Sequence, residues 1–430
     1  MPRYSTDTRT LQPGETYVAI RGETHDGHRF IPQALEAGAS AIVSEREADV
    51  PEGVELIRVQ DSIAHLVASA SAKLRQSGAR VVGITGSIGK TTTRAAIHAV
   101  VREGFPALAS EGNKNTPLGL SLMILNAEIP RGAVLVLEMG ARLAGDIKEL
   151  CAAFPPDVSV VTNVRGVHVE TFGSIDGVQR EKSEIVRALD ASGTAVLNGD
   201  DPRARNMAEL HEGRTLFFGR AETCDLRPHL ITVDLPILGD HAIPTVLSAY
   251  GVGLALGMDR EAILRGLAEM TPEKGRLARL AGRNGSTLID DTYNASPDAA
   301  KAALDVLAEL DGQRKIAVLG DMLELGDTEV EQHVDVLRHA VGQADLVVAV
   351  GGIMERAARQ VPGVQHAPTS ASLAEQLRQP ESDWPREGDV ILAKGSQGAR
   401  MERVSEAVLS PDLDPADVLP RQTQAWKQIP

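Results

Sequence analysis

Only two of the 430 residues are cysteine, Cys151 and Cys224. That is too few for a disulfide framework, and neither has the CxxC partner of a metal or redox site. Both are expected as small buried hydrophobes in a reducing compartment. No apolar run approaches the ~18 residues of a membrane span, and the leading MPRYSTDTRT has no apolar core of the signal-peptide kind. Positive charge is short as well: 44 Lys and Arg stand against 59 Asp and Glu, a formal charge of -15. That balance argues against nucleic acid as the main partner, while leaving room for a local basic pocket around phosphates. Internal repeats and low-complexity segments are missing. The expectation is a cytoplasmic, soluble protein with neither nucleic-acid binding nor membrane insertion.

What is present is βα alternation over most of the chain, organised around Arg80–Ile97. Val81, Val82, Gly83, Ile84 and Thr85 read as a short buried strand. Gly86-Ser87-Ile88-Gly89-Lys90-Thr91-Thr92 then turns the chain into a helix. Glycines let backbone N–H groups approach an anion, and the helix N-terminus adds to the cradle. Lys90 would reach the outer phosphates, and Thr91 would place a hydroxyl on Mg²⁺. The strict phosphate-loop pattern wants glycine where this chain has Ile84, so the usable form is TGxxGKTT in its strand–loop–helix setting. It predicts a nucleoside triphosphate site.

Three domains are expected. Residues 1–77 form a small leading α/β unit, with strands in TYVAIRG and SAIVSE, a helix in FIPQALEAGA, and a strand then a helix in LIRVQDSIAHLVASASAKLRQ. Residues 78–272 hold the phosphate loop and strands at 133–140, 157–164, 194–200 and 215–219. Helices are expected between those strands over 144–153, 175–189 and 201–210, followed by 242–256 and 259–269. Such alternation implies a mainly parallel sheet covered on both faces. Residues 273–430 repeat the style in STLIDDTYNASP, KIAVLGDMLELG, DLVVAVGG and DVILAKGS, with helices at 297–310, 328–341, 353–360 and 401–408. The turns after those strands should form one wall of a ligand site. The tail after Ser410 reads as loosely packed.

The expected metal-binding aspartate of a generic phosphate-loop protein is replaced by Glu138, at the end of AVLVLEMG. A GTPase base-reading motif is lacking, since Asn113-Lys114-Asn115-Thr116 has no aspartate. Taken together, TGSIGKTT, GNKNTPLGL (112–120), LEMG (137–140), TNVRGVHVETFGS (162–174), REKSEI (180–185), GRL (275–277), DDTYNASPD (290–298), GDMLELG (320–326) and KGS…ME (394–402) resemble the Mur ligases, in order and over nearly the whole chain. The complete DDTYNASPD and GDMLELG runs favour the branch that adds a dipeptide.

That resemblance implies a fold of three α/β domains: a uridine-nucleotide domain, a central parallel-sheet ATPase-type domain and a C-terminal Rossmann-like domain. It also implies ATP-dependent joining of D-Ala-D-Ala to UDP-MurNAc-tripeptide through an acyl phosphate, by a monomer. ATP would lie on Thr85, Gly86, Ser87, Ile88, Gly89, Lys90, Thr91 and Thr92, with Arg276 on phosphates and Asp291 and Asn294 nearby. Two Mg²⁺ sites would draw on Thr91, Glu138, His168 and Lys182, the last as a carbamate. Imidazole is not a favoured Mg²⁺ ligand, so His168 rests on the resemblance. For Lys182 the competing reading is a solvated lysine beside Glu181 and Glu184. Thr8 and Arg9 match the uridine-diphosphate contact, and Asn113, Asn115 and Thr116 the loop over the muramoyl peptide. Tyr293, Lys394, Ser396 and Glu324 match the dipeptide side. Asp291 and Ser296 also suit a plain helix cap before Pro297. Two departures stand out: Ala242 and Thr245 replace family asparagines near adenine, and the segment before Thr6 is shorter than in the family, through a trimmed domain or a start placed late, so an incomplete uridine pocket is expected. The alternatives are a Mur-type ligase for another amine, diamino-acid-adding or folylpolyglutamate-like, and a degenerate nucleotide-binding scaffold.

Overall fold

Residues 3–427 are described by a computed structural model, apart from 23–24, 111, 113, 167–168, 236–238 and 240–241. The chain divides into two compact units, Met1–Val233 with Pro244–Glu269, and Asp234–Ile243 with Met270–Pro430. Among the described residues there are three sheets, two in the first unit and one in the second.

The leading sheet is parallel, in the order β1 (Tyr4–Ser5), β2 (Thr16–Val18), β3 (Ala41–Ser44), β4 (Glu55–Arg58). Its long helix, Ser62–Ser77, starts where the Asp61 carboxylate accepts the N–H groups of Ile63 and Ala64. It stops at Gly78, whose φ of 64° needs no Cβ to be accommodated. Leu66, Ala70 and Leu74 form its buried face. The helix packs on a second helix, Pro117–Asn126, and Lys73 Nζ donates to the end of that helix at Leu125 O and Ala127 O, both at 2.7 Å.

The second sheet is wholly parallel: β10 (Arg214–Phe218), β9 (Thr194–Asn198), β8 (Val158–Val161), β5 (Arg80–Thr85), β7 (Val134–Glu138), β6 (Ala107–Ala109). Its inner strands read VVGIT, VLVLE and VSVV because both faces are covered and no polar side is needed. The chain leaves β5 toward one edge, returns to β7 and crosses to β8, so the turns after β5, β7 and β8 open at a switch point. Residues 201–210 differ from the expected single helix. Asp201 caps one α-turn, Pro202–Arg205, and the chain continues as a 3-10 helix over Asn206–Leu210.

The third sheet runs β11 (Ala278–Ala281), β12 (Thr287–Asp291), β16 (Asp389–Lys394), β13 (Arg314–Gly320), β14 (Leu346–Val350), β15 (Val364–Ala367). Only the pairing of β11 with β12 is antiparallel. The last strand in sequence, β16, lies between β12 and β13. The tail is not loose as its composition suggests: Leu419 is buried against the core behind β12, and Ser410 N donates to Ala281 O. Cys151 and Cys224 are free and buried, and burial pushes the Cys151 thiol up to about 12.

Candidate active site

The loop after β5 depends on two glycines. Gly86 has φ 149°, and a Cβ placed there would stand 1.8 Å from Thr162 Oγ1. Gly89 has φ 84° and begins the helix Lys90–Val101 without a side-chain cap of its own, and the first turn of a helix is where an anion is favoured. The neighbouring turn after β8 braces the loop. Ser87 N donates to Asn163 O and Ile88 N to Asn163 Oδ1, each at 3.0 Å. Thr162 Oγ1 donates to Ile88 O at 2.7 Å. Ser87 Oγ accepts from Arg165 N at 2.9 Å. That bracing turn is held in place by Asn198, whose amide donates to Thr162 O, and by Asp201, whose carboxylate accepts Val164 N. Lys90 Nζ donates to Gly86 O at 2.8 Å, so the ammonium lies over the loop it follows. Thr85 is fully buried at the strand end, and Thr92 is half-buried on the first helical turn.

Glu138, at the end of β7, is 3% exposed. Its N–H donates to Ser110 Oγ, Thr91 Oγ1 donates to its Oε2 at 3.0 Å, and Asn115 Nδ2 to its Oε1 at 3.1 Å. Thr91 and Glu138 thus present adjacent oxygens beside the phosphate loop, the donor chemistry a hard divalent cation takes. Among the described residues no cluster of three His, Cys, Asp or Glu side chains gathers for a metal. His168 and Asn113 lie outside the described residues.

Lys182 is not a solvated lysine. It is 7% exposed, and its pKa is pushed down to about 7 by burial first and the charge of Lys90 second, with Glu181 opposing. Glu181 is occupied otherwise: its carboxylate accepts Gly145 N at 2.7 Å and Ile147 N at 2.9 Å, capping the helix Asp146–Ala153. In the loop ahead of Pro117–Asn126, Thr116 spends its hydroxyl on Gly119 N as the helix cap. In the leading sheet, Thr8 Oγ1 meets Gln33 Oε1 at 3.4 Å, and Arg9, largely exposed, pairs with Asp7 at 2.6 Å. Ala242 and Thr245, where the family has asparagines, are both buried.

The second unit gathers its own group at the carboxyl ends of β12 and β16. Asp291 and Lys394 are register partners on adjacent parallel strands, and Lys394 Nζ meets Asp291 Oδ2 at 2.5 Å with both side chains buried. Lys394 also donates to Asn294 O, and Leu277 N to Asp291 Oδ1. The Arg276 guanidinium lies 4.2 Å from the centre of the Tyr293 ring. Asn294 turns its Oδ1 back to Ala295 N. Ser296 occupies the cap position of the helix Pro297–Glu309 without a side-chain cap bond, and Ser396 Oγ, beyond the end of β16, accepts Leu323 N at 2.9 Å. Glu324 is exposed, at φ 64°.

Three family models match along the chain: "Mur ligase family, catalytic domain" over 3–117, "Mur ligase middle domain" over 84–252 and "Mur ligase, glutamate ligase domain" over 275–397. The UDP-N-acetylmuramoyl-tripeptide–D-alanyl-D-alanine ligase of Bacillus subtilis is 32% identical, over 95% of this chain and 93% of its own. The chain belongs to the Mur ligase family. A crystal structure of MurF from Acinetobacter baumannii superposes with a TM-score of 0.83 at 30% identity, covering 94% of this chain and 93% of that one. MurF ligase from Thermotoga maritima in complex with ADP gives 0.82 at 29%, covering 94% and 96%. The three-domain Mur ligase architecture expected from the sequence is the one found.

Within this Mur ligase site, sequence reasoning missed the braces. Asn163, Thr162, Ser110 and Asp201 touch the phosphate loop, Glu138 or their supports. Asn163 carried a signal, being a turn-forming residue placed directly after a buried strand beside the loop.

Proposed function

We propose that this chain uses ATP to join D-alanyl-D-alanine to UDP-N-acetylmuramoyl-tripeptide, an amide ligation in peptidoglycan precursor synthesis. The observation that carries this is the intact phosphate-loop group, Lys90, Thr91 and Glu138, in a chain alike over 94–95% of its length to ligases of that name. The tripeptide carboxylate attacks the γ-phosphorus, the bond to the β-bridging oxygen breaks, and ADP leaves. The dipeptide amine then attacks the acyl carbonyl, phosphate departs, and the amine's proton is lost. Two anions meet in the first step, so cationic groups must offset their repulsion. Lys90 neutralises the phosphates it faces and orients them. Thr91 and Glu138 would hold Mg²⁺, which supplies further charge neutralisation on the phosphates.

His168 and Lys182 are proposed for a second Mg²⁺. A lysine amine buried enough to be half neutral near pH 7 is in the form that adds CO₂, giving a carbamate and releasing a proton. A carbamate there converts a buried cation into an oxygen donor. Arg276 and Asp291 are assigned to phosphates and ribose, Tyr293 and Asn294 to the turn facing nucleotide and dipeptide, and Thr8 and Arg9 to the uridine diphosphate. For Asn113, Asn115 and Thr116 the muramoyl peptide is the proposed contact. The bonds of Asn115 to Glu138 and of Thr116 to Gly119 support a positioning role for those two. Lys394 likewise acts through Asp291.

Phosphate release by purified protein with ATP, the uridine-linked tripeptide and D-Ala-D-Ala tests the assignment. Release that needs the dipeptide is expected. Release with a different amine moves the chain to another branch, and none with any amine leaves a nucleotide-binding scaffold. A ¹³C carbonyl signal after exposure to labelled bicarbonate, lost in Lys182→Arg, checks the carbamate.

A further inference from the structure

The last dozen described residues return to the turn that follows β12. Arg421 stands at φ 57°, a left-handed backbone that an arginine adopts only where the surroundings hold it. Its side chain is 6% exposed, and each terminal nitrogen is used. Nη1 donates to Tyr293 O at 3.0 Å, and Nη2 to Thr292 O and to Glu402 Oε2, the latter at 2.9 Å. Glu402 is itself 2% exposed and receives Arg400 Nε on its other oxygen at 2.6 Å. The fork of one tail arginine therefore bridges a buried carboxylate and two consecutive carbonyls of the 290–294 turn. Its guanidinium also lies 5.9 Å from the centre of the Tyr293 ring, which carries Arg276 at 4.2 Å.

The neighbouring tail residues hold the other side of that turn. Lys274 Nζ donates to Ala416 O at 2.7 Å. A Cβ on Gly275 would come within 3.0 Å of Pro420 Cγ and 2.9 Å of Tyr293 N. Tyr293 N donates to Gly275 O at 3.1 Å. Residues 274–276 and 292–293 thus meet with the tail against both.

We propose that Arg421 is a positioning residue of the ligase: the C-terminal tail clamps the carbonyls of Thr292 and Tyr293 and so fixes the Tyr293 platform on which Arg276 is aimed. This rests on the assignment of Arg276, Asp291 and Tyr293 to nucleotide and dipeptide. Two carbonyls held by one planar guanidinium cannot rotate independently. The clamp acts through geometry, where a shift of about 1 Å in a positioned group lowers turnover by as much as 10²-fold.

The test uses the full chain with Arg421→Gln and Arg421→Lys. In Arg421→Gln, kcat falls about 10- to 100-fold while KM for the uridine-linked tripeptide stays within twofold, because that substrate is assigned to other domains. Millimolar guanidinium ion restores part of the loss, and Arg421→Lys retains more activity than the glutamine variant. Amide exchange over 292–296 rises about tenfold with the rest of the unit unchanged. The proposal is overturned if kcat and exchange both stay at the parent's values. It is equally overturned if exchange rises throughout 270–427 and kcat falls only with the folded fraction. Should the parent release no phosphate with any amine, the ligase assignment fails, and exchange over 292–296 still decides the clamp.

Discussion

Two turn regions keep their shape by opposite means. Around the phosphate loop, the backbone is shaped by Gly86 and Gly89 and braced by side chains that bond to main-chain atoms, the neutral Thr162, Asn163 and Asn198 and the carboxylate of Asp201. At the carboxyl ends of β12 and β16, non-glycine residues take the left-handed conformation, among them Leu277, Arg400 and Arg421, and buried charges hold the turns. The first device links segments 74 to 78 positions apart through short bonds to main-chain atoms and tolerates little change in shape. The second joins residues more than a hundred positions apart, and its integrity depends on each charge keeping its partner.

The comparison can be broken at four points. Lys90→Ala should lower phosphate release by about 10³-fold or more, since a charge over the loop is removed from the point of phosphoryl transfer. Activity near the parent's would remove the phosphate-loop half of the comparison. Gly86→Ala should weaken nucleotide binding by roughly 10²-fold, measured by titration calorimetry, because its Cβ meets Thr162 Oγ1 while the φ resists any side chain. Parent-like affinity would mean the loop is not shaped by glycine.

On the charged side, Lys394→Met should destabilise the second unit by about 3–5 kcal/mol by leaving Asp291 buried without its cation. Asp291→Asn with Lys394→Met should recover much of that loss in a denaturant titration. A single variant no worse than the double would show the pair to be dispensable.

The smallest effect concerns Asp290, which is fully buried with Oδ2 unpartnered and Oδ1 accepting from Ser405 and Thr292. Burial, chiefly, raises its pKa from 3.8 to about 6. An acid raised in the folded state binds its proton more tightly there than when unfolded. Its ionisation penalty is therefore absent below pH 3.8, builds up between 3.8 and about 6, and is complete above. Asp290→Asn keeps the acceptor oxygen and should gain about 1 kcal/mol over the parent at pH 8, with the gain fading toward pH 4. A gain equal at both pH values in urea titrations would place the effect elsewhere.

The same contrast explains what could be read in advance. Strands β5, β7 and β8 are short β-branched or leucine runs ending in turn residues, and TGSIGKTT is contiguous, so the phosphate loop and its sheet were legible. The helix Pro117–Asn126 was not: with Gly119 inside and leucines all round, it lacks the one-sided pattern of a surface helix because it packs against Ser62–Ser77. Strands β11 and β15, ARLA and VQHA, are edge strands too short and too mixed to show a period. Lys182 could be singled out as a candidate only through family likeness, and its burial arises from packing that no local pattern reports. The role of the tail was hidden for a similar reason. Proline and aspartate spacing says nothing about an arginine that finds its carboxylate and carbonyls in three-dimensional space.

The placement of β16 between β12 and β13 has a consequence for synthesis. A ribosome makes the central strand of the third sheet last, after β14 and β15 have already emerged. Until residues 389–394 leave the exit tunnel, β12 and β13 each expose an unpaired backbone edge flanked by apolar side chains. A message broken upstream of that strand would therefore yield a chain with a finished phosphate loop and a third sheet open to pairing with its neighbours.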